Sequence, residues 1–320
     1  MKALVTGAAG FIGSYLTEAL IKRGFEVTCI ARRTSNRRWI EHLNVNYIFC
    51  DLADIEEYAD KIVNFNYIFH VAGRTKAVSE RDFFLANAEC TEKLLQVTAE
   101  KNPDLTRFVY LSSLAAVGPS KDGAPVREDC LPAPVSSYGR SKLEGERAVL
   151  NFRDRLPVTI IRPPAVYGPR DADLFMMFKM IKKGIYPYWG KCFYSLIYVE
   201  DLIHGIIAAA EKKEAEGKTF FLSDDMVYTN DDIVERIAEA LGEKPMKMRL
   251  PRSLMGLIAF LGEKTDKKGI INRDKMRELR FSNWTCEACK AKNELGFKTK
   301  ITLREGIKWT ADWYKIHRWL

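Results

Sequence analysis

The sequence predicts a doubly wound α/β fold, in which a parallel sheet is covered by helices on both faces. Short apolar runs typical of buried strands recur along the chain, and helical patterns lie between them. The predicted strands are residues 2–6, 26–30, 46–50, 67–71, 107–111 and 157–161, and the predicted helices are residues 11–23, about 81–101 and 137–153. Strands that alternate with helices indicate a parallel sheet, because each parallel connection needs a crossover.

A glycine-rich turn follows the first predicted strand. The run Ala3-Leu4-Val5 leads into Thr6-Gly7-Ala8-Ala9-Gly10-Phe11-Ile12-Gly13, and apolar residues then recur at helical spacing. Such glycines let backbone N–H groups approach a pyrophosphate at a helix N-terminus, where the helix dipole favours anions. The alternative is a plain strand–helix turn. In this context the motif predicts a dinucleotide site with contacts from Gly7, Gly10, Phe11, Ile12 and Gly13.

A second motif lies in the helix predicted at 137–153. Tyr138 and Lys142 are four residues apart, which places the phenol and the ammonium on one helix face. The strand 107–111 ends directly before Ser112 and Ser113, at the sheet edge where ligands bind in open α/β folds. A tyrosine four residues before a lysine is also a common surface pair. The motif therefore indicates chemistry only together with the glycine turn and the serines.

In that order and spacing, the three motifs resemble the short-chain dehydrogenase/reductase superfamily. The Thr-Gly-x-x-Gly-x-x-Gly turn is similar to that of its extended branch, the NAD-dependent epimerase/dehydratase family. Further segments that resemble the family are His70-Val71-Ala72-Gly73, the block Arg162-Pro163-Pro164-Ala165-Val166-Tyr167-Gly168-Pro169-Arg170, and Val199-Glu200-Asp201-Leu202. The resemblance covers nearly the whole chain and implies a Rossmann fold with a smaller, mostly helical C-terminal substrate-binding part.

The resemblance also implies discontinuous domains. We expect an NAD(P)-binding Rossmann domain made of residues 1–165 and 195–223, and a substrate-binding cap made of residues 166–194 and 224–320. In this division a helix from Val199 to Ala210 and a strand from Thr219 to Leu222 return to the sheet. We further expect a homodimer through the helices near 85–101 and 137–153, because members of the family commonly associate in this way.

By the resemblance, Ser113, Tyr138 and Lys142 are the catalytic residues. A phenol with its ordinary pKa of about 10 is a poor base near neutrality. We therefore expect Lys142 and the positive nicotinamide ring to lower the pKa of Tyr138, while Lys142 also donates to the nicotinamide ribose. Ser113 would bind the substrate oxygen. Ser112 is either strand-end filler or a second donor. Val117 stands where the family usually has a tyrosine that marks the serine, so the choice of Ser113 over Ser112 stays open.

The other expected site residues come from the same resemblance. The expected cofactor contacts are Asp51 and Leu52 near the adenine ring, then Val71, Ala72, Gly73 and Pro163. The expected substrate contacts are Ser112, Asn87, Ala165, Arg170 and Tyr194. For three of these residues a structural role is the alternative: a solvated turn for Asp51, a helix interior for Asn87, and the core of the C-terminal part for Tyr194. Glu144 and Glu146 are expected to solvate the helix that bears Tyr138.

The end of the second predicted strand indicates the cofactor. An NAD enzyme usually has a carboxylate there, which accepts a hydrogen bond from the ribose 2′-hydroxyl. This chain has Arg32 and Arg33, and arginine suits a 2′-phosphate through bidentate, charge-assisted bonds. The sequence therefore favours NADP, with NAD as the alternative.

Two departures from the family favour a reductase over a nucleotide-sugar enzyme. Ala165 stands where sugar-nucleotide enzymes commonly have asparagine, and Tyr194-Ser195 stands where they commonly have an Arg-Asp that holds the diphosphate. We therefore expect hydride transfer between NADP(H) and a secondary alcohol or ketone, as in enzymes like dihydroflavonol reductase or 3β-hydroxysteroid dehydrogenase. A nucleotide-sugar epimerase or dehydratase with bound NAD is the alternative. A non-catalytic NADP-sensing protein is a third reading, which the presence of both Tyr138 and Lys142 disfavours.

Composition excludes several other classes. The chain is 47% hydrophobic and 29% charged, with no apolar run long enough to span a membrane, so we expect a soluble cytoplasmic protein. The seven cysteines are scattered, and Cys286-x-x-Cys289 lacks further ligands at matching spacing, so we expect reduced thiols and no metal. The net charge of +8 concentrates in residues 244–280. This basic stretch is either a solvated helical face or a surface that attracts an anionic partner. No recognised nucleic-acid module accompanies it, so we expect no nucleic acid partner.

Overall fold

The computed structural model describes residues 1–251 and 273–320. The strands are β1 Lys2–Thr6, β2 Glu26–Ala31, β3 Asn46–Phe49, β4 Tyr67–His70, β5 Arg107–Leu111, β6 Val158–Arg162, β7 Ala165–Tyr167, β8 Ile185–Tyr188, β9 Phe193–Tyr194, β10 Leu196–Tyr198, β11 Thr219–Phe221, β12 Tyr228–Thr229, β13 Met246–Arg249 and β14 Asn283–Trp284. The helices are α1 Phe11–Lys22, α2 Glu80–Phe84, α3 Cys90–Lys101, α4 Ser137–Asn151, α5 Ala172–Lys182, α6 Val199–Glu211, α7 Asn230–Leu241, α8 Arg273–Leu279, α9 Cys289–Leu295 and α10 Leu303–Ile316.

Seven strands form a parallel sheet in the order β11-β6-β5-β4-β1-β2-β3. The order reverses direction between β1 and β4, so a crevice opens there at the carboxyl edge of the sheet, where ligands bind in doubly wound folds. The predicted fold class is confirmed. The six strands predicted up to residue 161 are all present, and β11 pairs with β6 at the outer edge.

Both faces of the sheet are buried because successive side chains of a strand point to opposite sides. Ala3 and Val5 of β1 pack in a cluster with α1 and α6, whereas Leu4 packs in a second cluster with α3 and α4. The continuous apolar runs of the sequence follow from this double coverage.

The C-terminal part combines helices with short strands. Helices α5, α7 and α10 share a core with Tyr167 and Tyr198. Three small sheets accompany them, in the orders β12-β9-β14, β13-β8 and β10-β7. The sequence predicted the helical character of this part but not its strands, which are only two to four residues long. The domain boundaries and the homodimer stay predictions.

Candidate active site

The glycine turn between β1 and α1 lies against the loop that follows β4. Gly7 has a φ of +72°, and a Cβ there would lie 2.7 Å from the backbone nitrogen of Ala72. A Cβ at Gly13 would lie 2.1 Å from the carbonyl oxygen of Gly7. Gly10 is the N-cap of α1, and no side chain of residues 1–251 or 273–320 caps that helix by a hydrogen bond. This tight turn and uncapped N-terminus fit the pyrophosphate of a dinucleotide.

The ends of β2 and β3 bring together the residues expected at the adenosine end of the cofactor. The Nη1 atom of Arg32 lies 3.9 Å from Oδ2 of Asp51, and both side chains are about half exposed. The guanidinium of Arg33 stacks over the ring of Phe49 at 5.3 Å. Leu52 follows Asp51 in the same turn. The contact with Asp51 is long and half exposed, so it holds the Arg32 guanidinium only weakly.

A buried chain of hydrogen bonds holds the loop after β4. The Ala72 N–H donates to Thr6 Oγ1 at 3.1 Å, and that hydroxyl bonds Nδ1 of His70 at 2.7 Å. The other ring nitrogen of His70 bonds Thr91 Oγ1 at 2.9 Å. Burial lowers the pKa of His70 to about 3, so the ring is neutral at pH 7. A neutral imidazole has one donor and one acceptor nitrogen, which suits a position between two hydroxyls. No pattern in the sequence predicted this role for His70.

The remaining predicted cofactor residues lie at the same edge of the sheet. Phe11 and Ile12 begin α1, Val71 and Gly73 flank Ala72 after β4, and Pro163 follows β6.

Asn87 is buried in a π-helical turn, Leu85–Glu89, which joins α2 to α3. Its Oδ1 accepts from the Arg74 N–H at 2.8 Å, while its Nδ2 donates to the Arg74 carbonyl at 3.0 Å and to Ser141 Oγ at 2.9 Å. A Cβ at Gly73 would lie 2.8 Å from Asn87 Oδ1. These contacts favour a role in tying the loop after β4 to α4 over the expected contact with substrate.

The three residues expected to be catalytic converge beyond the end of β5. The side chain of Ser113 lies close enough to the phenol of Tyr138 to lower the pKa of that phenol. One helical turn further along α4, Nζ of Lys142 donates to the Leu111 carbonyl at 2.6 Å and lies 4.3 Å from the centre of the Tyr110 ring. A hydroxyl, a phenol and a buried ammonium at one sheet edge have the composition needed for proton transfer to a substrate oxygen.

Burial dominates the electrostatics of this group. It raises the pKa of Tyr138 to about 12, against the opposing effect of the Ser113 side chain. It lowers the pKa of Lys142 to about 7, against the opposing charge of Glu146. We expected Lys142 to lower the pKa of Tyr138. In this structure the ammonium instead contacts a carbonyl and an aromatic ring, and the phenol keeps its proton at neutral pH.

Ser112 and Ser113 differ in their contacts, because Ser112 bonds a buried ion pair. Arg162 donates from Nε and Nη2 to the two carboxylate oxygens of Glu146, at 2.9 and 2.6 Å. The hydroxyl of Ser112 donates to the same carboxylate at 2.5 Å. The side chain of Glu146 is 2% exposed, so the expectation that it is solvated is wrong. The hydroxyl of Ser112 is buried and already bonded to Glu146, which favours Ser113 as the donor to substrate.

Arg170 lies against α1. Its Nη1 donates to Ser14 Oγ at 3.0 Å, its Nη2 donates to Glu18 at 2.7 Å, and its guanidinium stacks over Tyr15 at 4.4 Å. These contacts occupy most of the guanidinium, so the structure favours a role in joining the C-terminal part to α1 over the expected contact with substrate.

The other expected substrate residues lie on short strands. Ala165 is exposed in β7 and pairs with Leu196. Tyr194 lies in the middle strand of the sheet β12-β9-β14 and is partly buried. The hydroxyl of its neighbour Ser195 accepts from the Cys286 N–H at 3.0 Å and donates to the Cys286 carbonyl at 3.1 Å. Ser195 is therefore a structural residue.

Cys286 and Cys289 differ in burial. Burial raises the pKa of Cys286 to about 12, whereas Cys289 is exposed at the start of α9. Among the residues that the structure describes, no group of three or more metal-ligating side chains is found, and none of the helices is long and apolar enough to cross a membrane. Residues 252–272 of the basic stretch 244–280 lie outside the described residues.

Comparisons with known proteins identify the family of this chain. The family model for the NAD-dependent epimerase/dehydratase family matches residues 3–222. A ceramide reductase from Caulobacter vibrioides is 28% identical, over 99% of this chain and 95% of the relative. A 3beta-hydroxysteroid-dehydrogenase/decarboxylase from Arabidopsis thaliana is 25% identical, over 97% of this chain and 78% of the relative.

Solved structures of low sequence identity share the fold. The crystal structure of the UDP-glucose 4-epimerase from Thermotoga maritima with UDP-glucose has a TM-score of 0.82, at 22% identity, and the match covers 99% of this chain and 100% of that one. The resemblance expected from the sequence is therefore confirmed: the chain belongs to the NAD-dependent epimerase/dehydratase family of enzymes.

Proposed function

We propose that this enzyme transfers a hydride between NADP(H) and a secondary alcohol or ketone of a small organic substrate. The observation that carries the proposal is the placement of Ser113 just beyond β5 and of Tyr138 and Lys142 in the first two turns of α4, where Nζ of Lys142 donates to the Leu111 carbonyl at 2.6 Å. The bound dinucleotide supplies the hydride donor or acceptor. The chain's own residues must then hold the substrate oxygen and move its proton.

Each of these residues has one task in ketone reduction. Ser113 donates a hydrogen bond to the substrate oxygen, and Tyr138 donates its proton to that oxygen as it becomes an alcohol. A pKa of about 12 keeps the phenol protonated across the neutral range, which suits a general acid. Lys142 would hold the dinucleotide ribose through its Nζ, which lies one helical turn beyond Tyr138 on α4. In alcohol oxidation the phenolate accepts the proton, so this direction gains from high pH.

The cofactor preference rests on the end of β2. Arg32 and Arg33 stand where a carboxylate would select NAD, and Arg32 has only a weak, half-exposed contact with Asp51. Two guanidinium groups in that position suit the 2′-phosphate of NADP.

The preference for a free alcohol or ketone rests on the missing diphosphate clamp. Tyr194 and Ser195 replace the arginine and aspartate, and Ser195 is held by the backbone of Cys286. The loss of a charge-assisted bond costs about 1.5–3 kcal/mol of affinity unless another cation replaces it. The ceramide reductase and the 3beta-hydroxysteroid-dehydrogenase/decarboxylase among the relatives support this reading. The alternative, a nucleotide-sugar epimerase or dehydratase, draws support from the shared fold of the UDP-glucose 4-epimerase.

One experiment separates these reactions. The purified protein is assayed for retained dinucleotide, and thermal unfolding of the NADP-saturated protein is then recorded with UDP, UDP-glucose and dTDP. We expect no retained NAD and no stabilisation by the nucleotides. Retained NAD, together with stabilisation of about 2.7 kcal/mol at a hundredfold excess of ligand over Kd, would establish the sugar-nucleotide reaction instead. NADPH oxidation with a panel of ketones, with Tyr138→Phe as the inactive control, then identifies the substrate.

A further inference from the structure

The helix that bears Tyr138, α4, begins with a turn whose N–H groups bond side chains of α8, a helix more than 130 residues later in the sequence. The carboxylate of Asp274 in α8 accepts from the Ser137 N–H at 2.6 Å and from the Tyr138 N–H at 3.1 Å. The N-cap hydroxyl of Ser136 accepts from the Gly139 N–H at 3.0 Å and donates to Glu278, also in α8, at 2.8 Å. The first three N–H groups of α4 are thus all bonded, two of them by Asp274.

We propose that Asp274 and Glu278 are positioning residues for Tyr138, which hold the first turn of its helix and set the charge around its phenol. This inference rests on the proposed function and deepens it, because it makes α8 part of the reaction centre. Neither residue belongs to a motif that is recognisable in the sequence.

Geometry and burial support the positioning role. The side chains of Asp274 and Glu278 are 15% and 13% exposed, so both carboxylates are largely shielded from water. Among the described residues, each carboxylate pairs with a cation of its own helix: Arg277 lies 3.9 Å from Asp274, and Lys275 lies 3.0 Å from Glu278. A carboxylate that accepts two N–H bonds at a helix N-terminus gains from the helix dipole and fixes the backbone of the first turn.

Two carboxylates act on the phenol from different elements. Beyond burial, which is the largest cause, Glu278 in α8 and Asp173 in α5 raise the pKa of Tyr138, while Ser113 lowers it. Asp173 is itself paired with Lys76 in the loop after β4.

Two further described side chains near the phenol lie on α4 itself and on α2. Lys142 lies one helical turn further along α4. From α2, the uncharged ring of Phe83 lies 6.1 Å from that of Tyr138. Negative charge from Glu278 therefore favours the neutral phenol, which is the form that protonates a ketone.

The test reads the ionisation of this one phenol without cofactor or substrate. Tyr138 is replaced by 3,5-difluorotyrosine, whose phenol ionises at lower pH, and its ¹⁹F resonance is followed against pH. Glu278→Gln removes the charge but keeps an oxygen that can accept from Ser136. We expect this change to lower the pKa of the labelled phenol by about 0.5–1 unit, less than an unpaired neighbouring charge would cause, because Lys275 already pairs with Glu278.

A helix cap elsewhere in the chain provides the matched control. Asp232 caps α7 by accepting from the Thr229 N–H at 2.7 Å. Asp232→Asn should leave the pKa of the labelled phenol unchanged, whereas Asp274→Asn should shift the resonance of the neutral phenol, because α4 loses charge-assisted bonds. Circular dichroism confirms that each variant is folded, and Glu278→Gln decides the question if Asp274→Asn does not fold.

An unchanged titration in Glu278→Gln, or an equal change in Asp232→Asn, would overturn the proposal. The proposed function fails separately, through absence of NADPH binding, because the titration requires no dinucleotide.

Discussion

The ion pair between Glu146 and Arg162 should contribute strongly to stability. Both side chains are buried, at 2% and 8% exposure, and their bonds measure 2.6 and 2.9 Å. Glu146→Gln removes the negative charge and leaves the guanidinium buried. Its Nη1 already has no hydrogen-bond partner in the described chain, so the positive charge has little else to bind.

The magnitude follows from this burial. Removing one partner of a buried pair costs about 3–5 kcal/mol, because the other charge stays desolvated. With an unfolding entropy of about 2.1 cal/mol/K per residue, a chain of this length loses about 4–7 °C of Tm.

The same helix offers a matched control. Glu144 pairs with Arg147 at 2.9 Å, but these side chains are 47% and 64% exposed. An exposed pair contributes about 0.2–1 kcal/mol, so Glu144→Gln should shift Tm by less than about 1.5 °C. The two substitutions make the same chemical change and differ only in burial.

Thermal unfolding followed by far-ultraviolet circular dichroism, with urea unfolding as a second measure, compares the two variants at pH 7. Equal shifts in Glu146→Gln and Glu144→Gln would refute the reasoning, since they would show that Glu146 is solvated. A double variant, Glu146→Gln with Arg162→Met, should recover part of the loss, because it no longer buries an unpaired charge.

Three further outcomes are expected at the active site. Tyr138→Phe should leave NADPH affinity unchanged and lower kcat by about 100-fold or more, whereas Lys142→Ala should lower both NADPH affinity and kcat. Full activity of Tyr138→Phe on the identified substrate would refute the catalytic assignment of Tyr138. NADPH should bind at least about tenfold more tightly than NADH, and Arg32→Asp should invert that order; equal affinities in fluorescence titrations of the wild type would contradict the NADP assignment. Gly13→Ala should abolish dinucleotide binding, because its Cβ would lie 2.1 Å from the Gly7 carbonyl oxygen, and unchanged binding by calorimetry would show that the turn adapts.

The sequence by itself determined the sheet and singled out Tyr138 and Lys142 as the candidate reactive groups. The glycine turn and the spacing of Tyr138 and Lys142 are local patterns, whose geometry follows from a tight turn and from the helical repeat. The strands of the sheet were predictable because burial on both faces leaves continuous apolar runs.

Only the tertiary structure decided what surrounds those groups. Glu144 and Glu146 are two residues apart, yet one is exposed and the other pairs with Arg162 from β6. The spacing of Glu146, four residues after Lys142, offered a signal for its position on the same helix face, but not for its partner. Asp274 lies 136 residues from the N–H group of Tyr138 that it binds, and no local pattern connects them. Burial and electrostatics depend on elements that meet only in the folded chain, so they decide charge states that spacing along the sequence leaves open.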